Sequence, residues 1–371
     1  MNSQKIILVS NAFYPEISPR SFRATELAKE FTRQGHKVTV ITKFRRHDYS
    51  DFLNSYGFDI KMWSRSLLPK FPVVSFKVIN LVVRSLERLL TLLFEYPSIE
   101  EMFKVKSMLN NEAGYSLMIS FAVPYPVHWG TALARSEKNI IAECWVADCG
   151  DPYMGDRLDT FRHPFYFKYL EKLFCRRADY ISIPVHSAIQ AYYPEFHNKI
   201  VIIPQGFEFN LDRDAVEQKN PCPTFAYAGR FLKTIRDPVP LLNYLVKIKS
   251  DFRFYVYTDQ PELLQRFKSQ LSEKLIVSGF IDRDELMSQL SKMDFLINFD
   301  NNSMRNVPSK LIDYAIANRP VLNIGRPFNP EDLDSFMSKD YSKRMILPPL
   351  EIYHISNIAT QFLKLAASFT K

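Results

Sequence analysis

The feature that most narrows what this chain can fold into is an alternation that runs through it twice. Short runs of β-forming apolar residues are separated by stretches whose apolar residues recur at helical spacing. Lys5–Ser10 (KIILVS) is such a run. It lacks polar–apolar alternation, as expected of a parallel strand covered on both faces. A loop, NAFYPEISPRS, leads to Phe22, Leu27, Ala28 and Phe31 at helical spacing, then Gly35, then Val38–Thr42. Strand, helix and strand in this order make one right-handed crossover unit. Similar strands are predicted at Leu117–Phe121, Ile140–Val146, Tyr180–Pro184 and Ile200–Pro204. A polar stretch from Glu208 to Pro223 reads as a linker, after which the pattern restarts. Strands are expected at Phe225–Ala228, Phe252–Tyr257, Leu275–Ser278, Phe295–Phe299 and Val321–Ile324. Helices are expected between them at Pro240–Ser250, Glu262–Leu271, Asp284–Lys292 and Ser309–Asn318. Ile352–Phe369 closes the chain as an amphipathic helix.

The expectation is an α/β chain of two Rossmann-like domains facing each other across a cleft. The first spans 1–207 and the second 208–351, and a helix in 352–371 packs back on the first. A length of 371 residues suits two domains.

Composition narrows the function classes. Only 10 glycines are present, and no G-x-G-x-x-G follows any strand, which argues against a dehydrogenase. The net charge of +8 suits an anionic ligand or surface, and no nucleic-acid signature accompanies it. Cys144, Cys149, Cys175 and Cys222 form no C-x-x-C pair and have no histidine cluster beside them, so they read as reduced thiols and no metal site is expected. The opening Met-Asn-Ser-Gln-Lys runs straight into a strand. No leader is expected, and the chain is read as cytoplasmic. No run of about 18 uncharged apolar residues is present, so no membrane span is expected.

Ligands of open parallel sheets bind at the carboxyl ends of strands, where loops feed helix N-termini. Three such places carry unusual residues. In Tyr227-Ala-Gly-Arg230, a strand delivers Gly229 and Arg230 into a loop with Lys233 and Arg236. These cations suit a diphosphate, and a solvated loop paired to Asp237 is the alternative. In Val307-Pro-Ser-Lys-Leu-Ile-Asp313, Pro308 and Ser309 open a helix whose free N–H groups favour an anion. Lys310 adds charge there, and Asp313 is placed to accept from ribose hydroxyls; a helix with an acidic first turn is the alternative. In Trp145-Val-Ala-Asp148-Cys-Gly-Asp151-Pro152, two carboxylates follow a buried strand, as an acceptor-side cluster or as a structured turn. Gly279 and Phe280, just after the strand Leu275–Ser278, are further donor-side candidates.

The ordered set resembles glycosyltransferase family 4, retaining enzymes of the two-Rossmann GT-B type, in its bacterial surface-glycan branch. The resemblance rests on "NAFYPEISPRSFRATELAKEFTRQGHKVTVIT", "WVADCGDPY", "VIIPQGF", "YAGRF…IRDP" and "PSKLIDYAIANRPVL". It covers about residues 1–45 and 115–325. It implies that Arg230 and a second cation, Lys233 or Arg236, contact the diphosphate of a nucleotide sugar. It also implies that Asp313 is the ribose carboxylate. Arg305 stands where the family has a glutamate on the donor sugar, and Asp148 stands near a catalytic position. Arg20, Arg23 and Asp151 fall on the acceptor side, with arginines where the family carries paired glycines. No metal or other cofactor is implied.

The reading is therefore a hexosyl- or N-acetylhexosaminyl-type transferase acting on a glycan or lipid-linked acceptor in polysaccharide biosynthesis. A catalytically silent nucleotide-sugar-binding subunit and a nucleotide-sugar epimerase are the alternatives. One stretch falls outside the resemblance. From Phe76 to Glu95, polar residues form a single stripe in an otherwise apolar helix, and residues 60–94 carry six Lys/Arg against one Glu. Two readings stand for 75–95: a helix sandwiched inside the first domain, or one lying on the inner face of an anionic membrane.

Overall fold

The computed structural model describes residues 3–69, 71–72, 77–137, 139–155, 162–209, 219–231, 236–300 and 309–369. The chain divides into two compact units. The first comprises Met1–Glu208 with Ile352–Lys371, and the second Phe209–Glu351.

The first unit runs β1 (Lys5–Ser10), α1 (Pro19–Arg33), β2 (Lys37–Lys43), α2 (Ser50–Tyr56), β3 (Asp59–Trp63), α3 (Lys77–Phe94) and α4 (Ile99–Leu109). It continues with β4 (Tyr115–Ala122), α5 (Pro126–Ala134), β5 (Ala142–Cys149), α6 (Phe167–Arg177), β6 (Tyr180–Ile183) and β7 (Ile200–Ile202). Its seven strands lie in the order β3-β2-β1-β4-β5-β6-β7 and pair in parallel. Successive residues of each strand feed opposite faces. Ile6 and Leu8 join one core with α1, while Ile7 and Val9 join the other with α4, α5 and α6. Helix α1 begins at Pro19 behind the N-cap Ser18, whose hydroxyl accepts from the Ser21 N–H. Phe22, which its spacing assigns to the inner face, is exposed, and Arg23 is buried in its place.

The second unit runs β8 (Thr224–Ala228), α7 (Val239–Leu245), β9 (Arg253–Tyr257), α8 (Gln265–Leu271), β10 (Leu275–Ser278), α9 (Arg283–Leu290), β11 (Phe295–Phe299), α10 (Ser309–Ala317), β12 (Val321–Ile324) and α11 (Pro330–Met337). Its five parallel strands lie in the order β10-β9-β8-β11-β12. The strand order reverses between β8 and β11, as it does between β1 and β4 in the first unit. Each unit is thus doubly wound, and the expected pair of Rossmann-like sheets is present. The four cysteines are free thiols, three of them buried.

The final helix, α12 (Ile355–Phe369), belongs to the first unit. Ile355, Ile358, Phe362 and Leu363 recur at helical spacing and enter the same core as Leu27 and Phe31 of α1. Phe362 is fully buried there. Phe362→Ala is expected to cost about 3–5 kcal/mol, read as a lower urea midpoint for the first unit. An unchanged midpoint would mean that α12 contributes nothing to this core.

Helix α3 behaves differently from an interior helix. None of its described side chains is buried, and Val82, Leu86 and Leu89 are exposed. The sandwiched reading of this segment is corrected by that exposure.

Candidate active site

In the second unit the unusual residues gather on the carboxyl edge of the sheet. Strand β8 buries Tyr227 and ends at Ala228. Gly229 follows at φ +140°, a conformation that side chains rarely adopt, and its N–H donates to the Tyr257 carbonyl at 2.9 Å. The Tyr227 hydroxyl donates to the Arg230 carbonyl at 2.8 Å and closes this turn. From α10, the buried Tyr314 hydroxyl accepts from the Ala228 N–H and donates to the Ile297 carbonyl, both at 3.0 Å. One side chain thereby fixes α10 to β8 and β11, where the strand order reverses.

Lys310 lies in the first turn of α10. Its Nζ is buried 5.0 Å from the centre of the Tyr227 ring, with no hydrogen-bond partner among the described residues. Burial pushes its ammonium down to about 7, and Arg236 acts in the same direction. Burial also pushes the Tyr227 phenol up to about 12, against the pull of Arg236. Lys310 and Arg236 thus share the surroundings of one buried ring, and the Gly229–Arg230 turn is tied to the same ring.

The remaining candidates follow along this edge. Arg230 is two-thirds exposed and donates through Nε to Asp259 Oδ2 at 2.6 Å. Asp313 accepts from Arg283 Nε at 3.1 Å and Nη2 at 2.8 Å; burial raises its carboxyl and Arg283 opposes the rise. Beyond β10, Gly279 has no atom within 4 Å of where a side chain would begin, and Phe280 is exposed. Lys233, Arg305 and Pro308 lie outside the described residues, as does the side chain of Ser309. Sequence reasoning passed over Asp259, Arg283 and Tyr314. The first two come soon after strand ends, a position that marks ligand loops in such sheets. Tyr314 is hidden inside a helix.

In the first unit, the carboxyl end of β5 carries a buried charge network. Arg23 donates to both oxygens of Asp148, through Nε at 2.6 Å and Nη2 at 2.7 Å. It also donates to the carbonyls of Pro204 at 2.6 Å and Ile203 at 3.1 Å. Its guanidinium lies 5.7 Å from the ring centre of Phe362. Ser182 of β6 donates to Asp148 at 2.6 Å, and Arg20 approaches it at 3.7 Å. Burial pushes the Asp148 carboxyl up, but Arg23, Arg20 and Ser182 together hold it below its ordinary value. The Arg20 guanidinium occupies the space over Gly150 that a side chain would fill: an added Cβ would lie 0.9 Å from Nη2. Arg20 is partly exposed, whereas Arg23 is enclosed. Asp151 is exposed, and its carbonyl accepts from the Tyr125 hydroxyl. Among the described residues, no group of three or more His, Cys, Asp or Glu side chains is placed to hold a metal.

No protein-family profile and no curated protein matches the sequence. The fold, however, is similar to that of solved glycosyltransferases. A glycosyltransferase from Rickettsia africae ESF-5 aligns over 100% of both chains with a TM-score of 0.61 and 14% identity. The lipopolysaccharide outer core galactosyltransferase WaaB, in its apo form, aligns over 98% of this chain and 99% of its own, with a TM-score of 0.56 and 10% identity. Anabaena Alr3699/HepE, in complex with UDP and glucose, aligns over 98% of this chain and 100% of its own, with a TM-score of 0.53 and 12% identity. At these identities the likeness is one of fold.

The Asp148 network generates a prediction of its own. Arg23→Ala strands a buried carboxylate and is expected to cost about 3–5 kcal/mol. Arg20→Ala, at the partly exposed side, costs under about 1 kcal/mol. A carboxyl held low when folded contributes stability above its unfolded value and loses it as pH falls through the folded one. The urea midpoints of the parent and Asp148→Asn should therefore differ at neutral pH and converge below about pH 4. A gap unchanged across that range would mean the ion pair contributes nothing.

Proposed function

We propose that this chain is a glycosyltransferase. It moves a sugar from a nucleotide-diphosphate donor, held by the second unit, to a glycan or lipid-linked acceptor in polysaccharide assembly on the cytoplasmic side of a membrane. The observation that carries the reading is Lys310. A buried ammonium without a hydrogen-bond partner among the described residues is costly unless a ligand supplies one. It sits in the first turn of a helix, where free N–H groups favour an anion. The two-Rossmann fold supports the reading, and one protein sharing that fold, HepE, was crystallised with UDP-glucose.

In this reading, Lys310, Arg236 and Arg230 donate to the diphosphate, Arg230 turning from Asp259 to do so. Asp313 accepts from a ribose hydroxyl while the two hydrogen bonds from Arg283 hold its carboxylate in place. Phe280 and the open space at Gly279 receive the base. As the bond from the sugar to the diphosphate breaks, negative charge grows on the leaving oxygen, and fixed cations stabilise that charge more than they stabilise the ground state. Asp148 has both oxygens engaged, so its part is to position Arg20, which faces the acceptor. Retention of configuration and membership of family 4 follow from the sequence resemblance.

The test follows the proton. Lys310 is half neutral near pH 7 without ligand, and a diphosphate beside it favours the charged form. Binding should therefore take up a proton above pH 7, and affinity should fall by up to about tenfold per pH unit between 7 and 9. Titration with UDP, GDP and ADP in buffers of different ionisation enthalpy measures both. Lys310→Met should abolish the uptake, and Arg230→Ala should cost about 1.5–3 kcal/mol in binding. No binding of any diphosphate, or an uptake that survives Lys310→Met, would overturn the reading.

A further inference from the structure

Helix α3 presents the wrong face to solvent. Ile79, Val82, Leu86 and Leu89 recur at spacings of three, four and three residues and so line one stripe. They are 52%, 62%, 46% and 49% exposed. The half-covered side of the helix is mixed: Asn80, Glu87 and Thr91 lie there with Val83 and Leu90. Leu81, 68% exposed, extends the apolar surface away from that stripe, and Arg84 and Arg88, three and seven residues on, border it there, both exposed. At its C-terminal turn the helix meets a second exposed apolar element. The Tyr166 hydroxyl donates to the Leu93 carbonyl, which brings the segment before α6 alongside Phe94. There Phe165, Tyr169 and Phe94 are 70%, 60% and 57% exposed. Lys168 lies 5.0 Å from the Tyr169 ring centre. Residues 162–177 carry five Lys/Arg against one Glu, and that Glu171 is buried.

Aliphatic side chains, aromatic rings and arginines on one surface are what an anionic bilayer interface selects. The chains enter the acyl boundary, the rings sit at headgroup level, and the cations meet lipid phosphates. No helix among the described residues is long and apolar enough to cross a membrane, so the contact lies along the surface. Eighteen residues give α3 a length of about 27 Å in that plane. We propose that α3, with the aromatic segment beside its C-terminal turn, docks the first unit on an anionic lipid bilayer. A second copy of the chain would also cover apolar area. Arg84, Arg88 and Lys168 would, however, meet their own like charge across a two-fold interface, whereas an anionic bilayer complements them.

Flotation of the full chain with vesicles of phosphatidylcholine, alone or mixed with phosphatidylglycerol, tests this. The protein should float with the mixed vesicles and stay behind with the neutral ones. Arg84→Glu with Arg88→Glu should weaken binding roughly thirtyfold or more. Val82→Ser, Leu86→Ser and Leu89→Ser together should abolish it. The altered side chains are exposed, so melting temperature and nucleoside-diphosphate binding should be kept in both variants. That control separates failure here from failure of the donor-site reading. The native tryptophans Trp63, Trp129 and Trp145 are buried, so a single Leu86→Trp should shift to the blue and be quenched by brominated lipid only with anionic vesicles. Absence of flotation in the parent, flotation indifferent to lipid charge, or an unmoved Leu86→Trp signal would overturn the proposal. So would a lipid-free dimer that the triple serine variant dissolves, which would assign the face to a second copy.

Discussion

A charge buried in protein must find a partner, and the two carboxyl edges of this molecule meet that constraint in opposite ways. Asp148 is enclosed and fully engaged: Arg23 grips both its oxygens, and Ser182 adds a hydroxyl. That pair ties α1, β5, β6 and the strand-end carbonyls at 203 and 204 together, with Phe362 of α12 beside the guanidinium. Lys310 is enclosed and unfinished, an ammonium over an aromatic ring with no hydrogen-bond acceptor among the described residues. The first arrangement builds a unit, and the second asks for a ligand.

What the second unit offers such a ligand follows from sheet topology. Loops after β8, β9 and β10 and the helix after β11 all leave the same edge of the sheet. Tyr314 sews the helix to two of those strands with one hydroxyl. Positive groups therefore gather without glycine-rich loops, which a chain with only 10 glycines does not supply. Gly229 is an exception, placed where the backbone requires a positive φ.

The two doubly wound sheets were legible because central parallel strands are covered on both faces and so read as unbroken apolar runs. The edge strand β3, with its polar–apolar mixture Asp-Ile-Lys-Met-Trp, carries no such run and went unread, as did short α2 beside it. Helix α10 was legible from its proline start and apolar spacing. Side-chain partners were not. Arg23 and Asp148 look in sequence like two independent site residues, and only the fold, 125 residues apart along the chain, makes them one ion pair. Asp313 likewise gives no sign in sequence of Arg283, which arrives from a different strand end. Residues 75–95 posed the reverse difficulty: an apolar helix is easy to see, but its spacing alone does not tell an inward face from an outward one.

The most direct test of the account is mass spectrometry of the products formed when the purified chain is incubated with UDP-, GDP- and ADP-sugars, with and without lipid-linked acceptors. The account predicts release of one nucleoside diphosphate, faster with the right acceptor. It also predicts that Arg230→Ala lowers this turnover more than it raises the donor Michaelis constant, because the charge it meets grows as the bond breaks. Intact donors throughout, or a donor interconverted to an epimer with its diphosphate still attached, would contradict it.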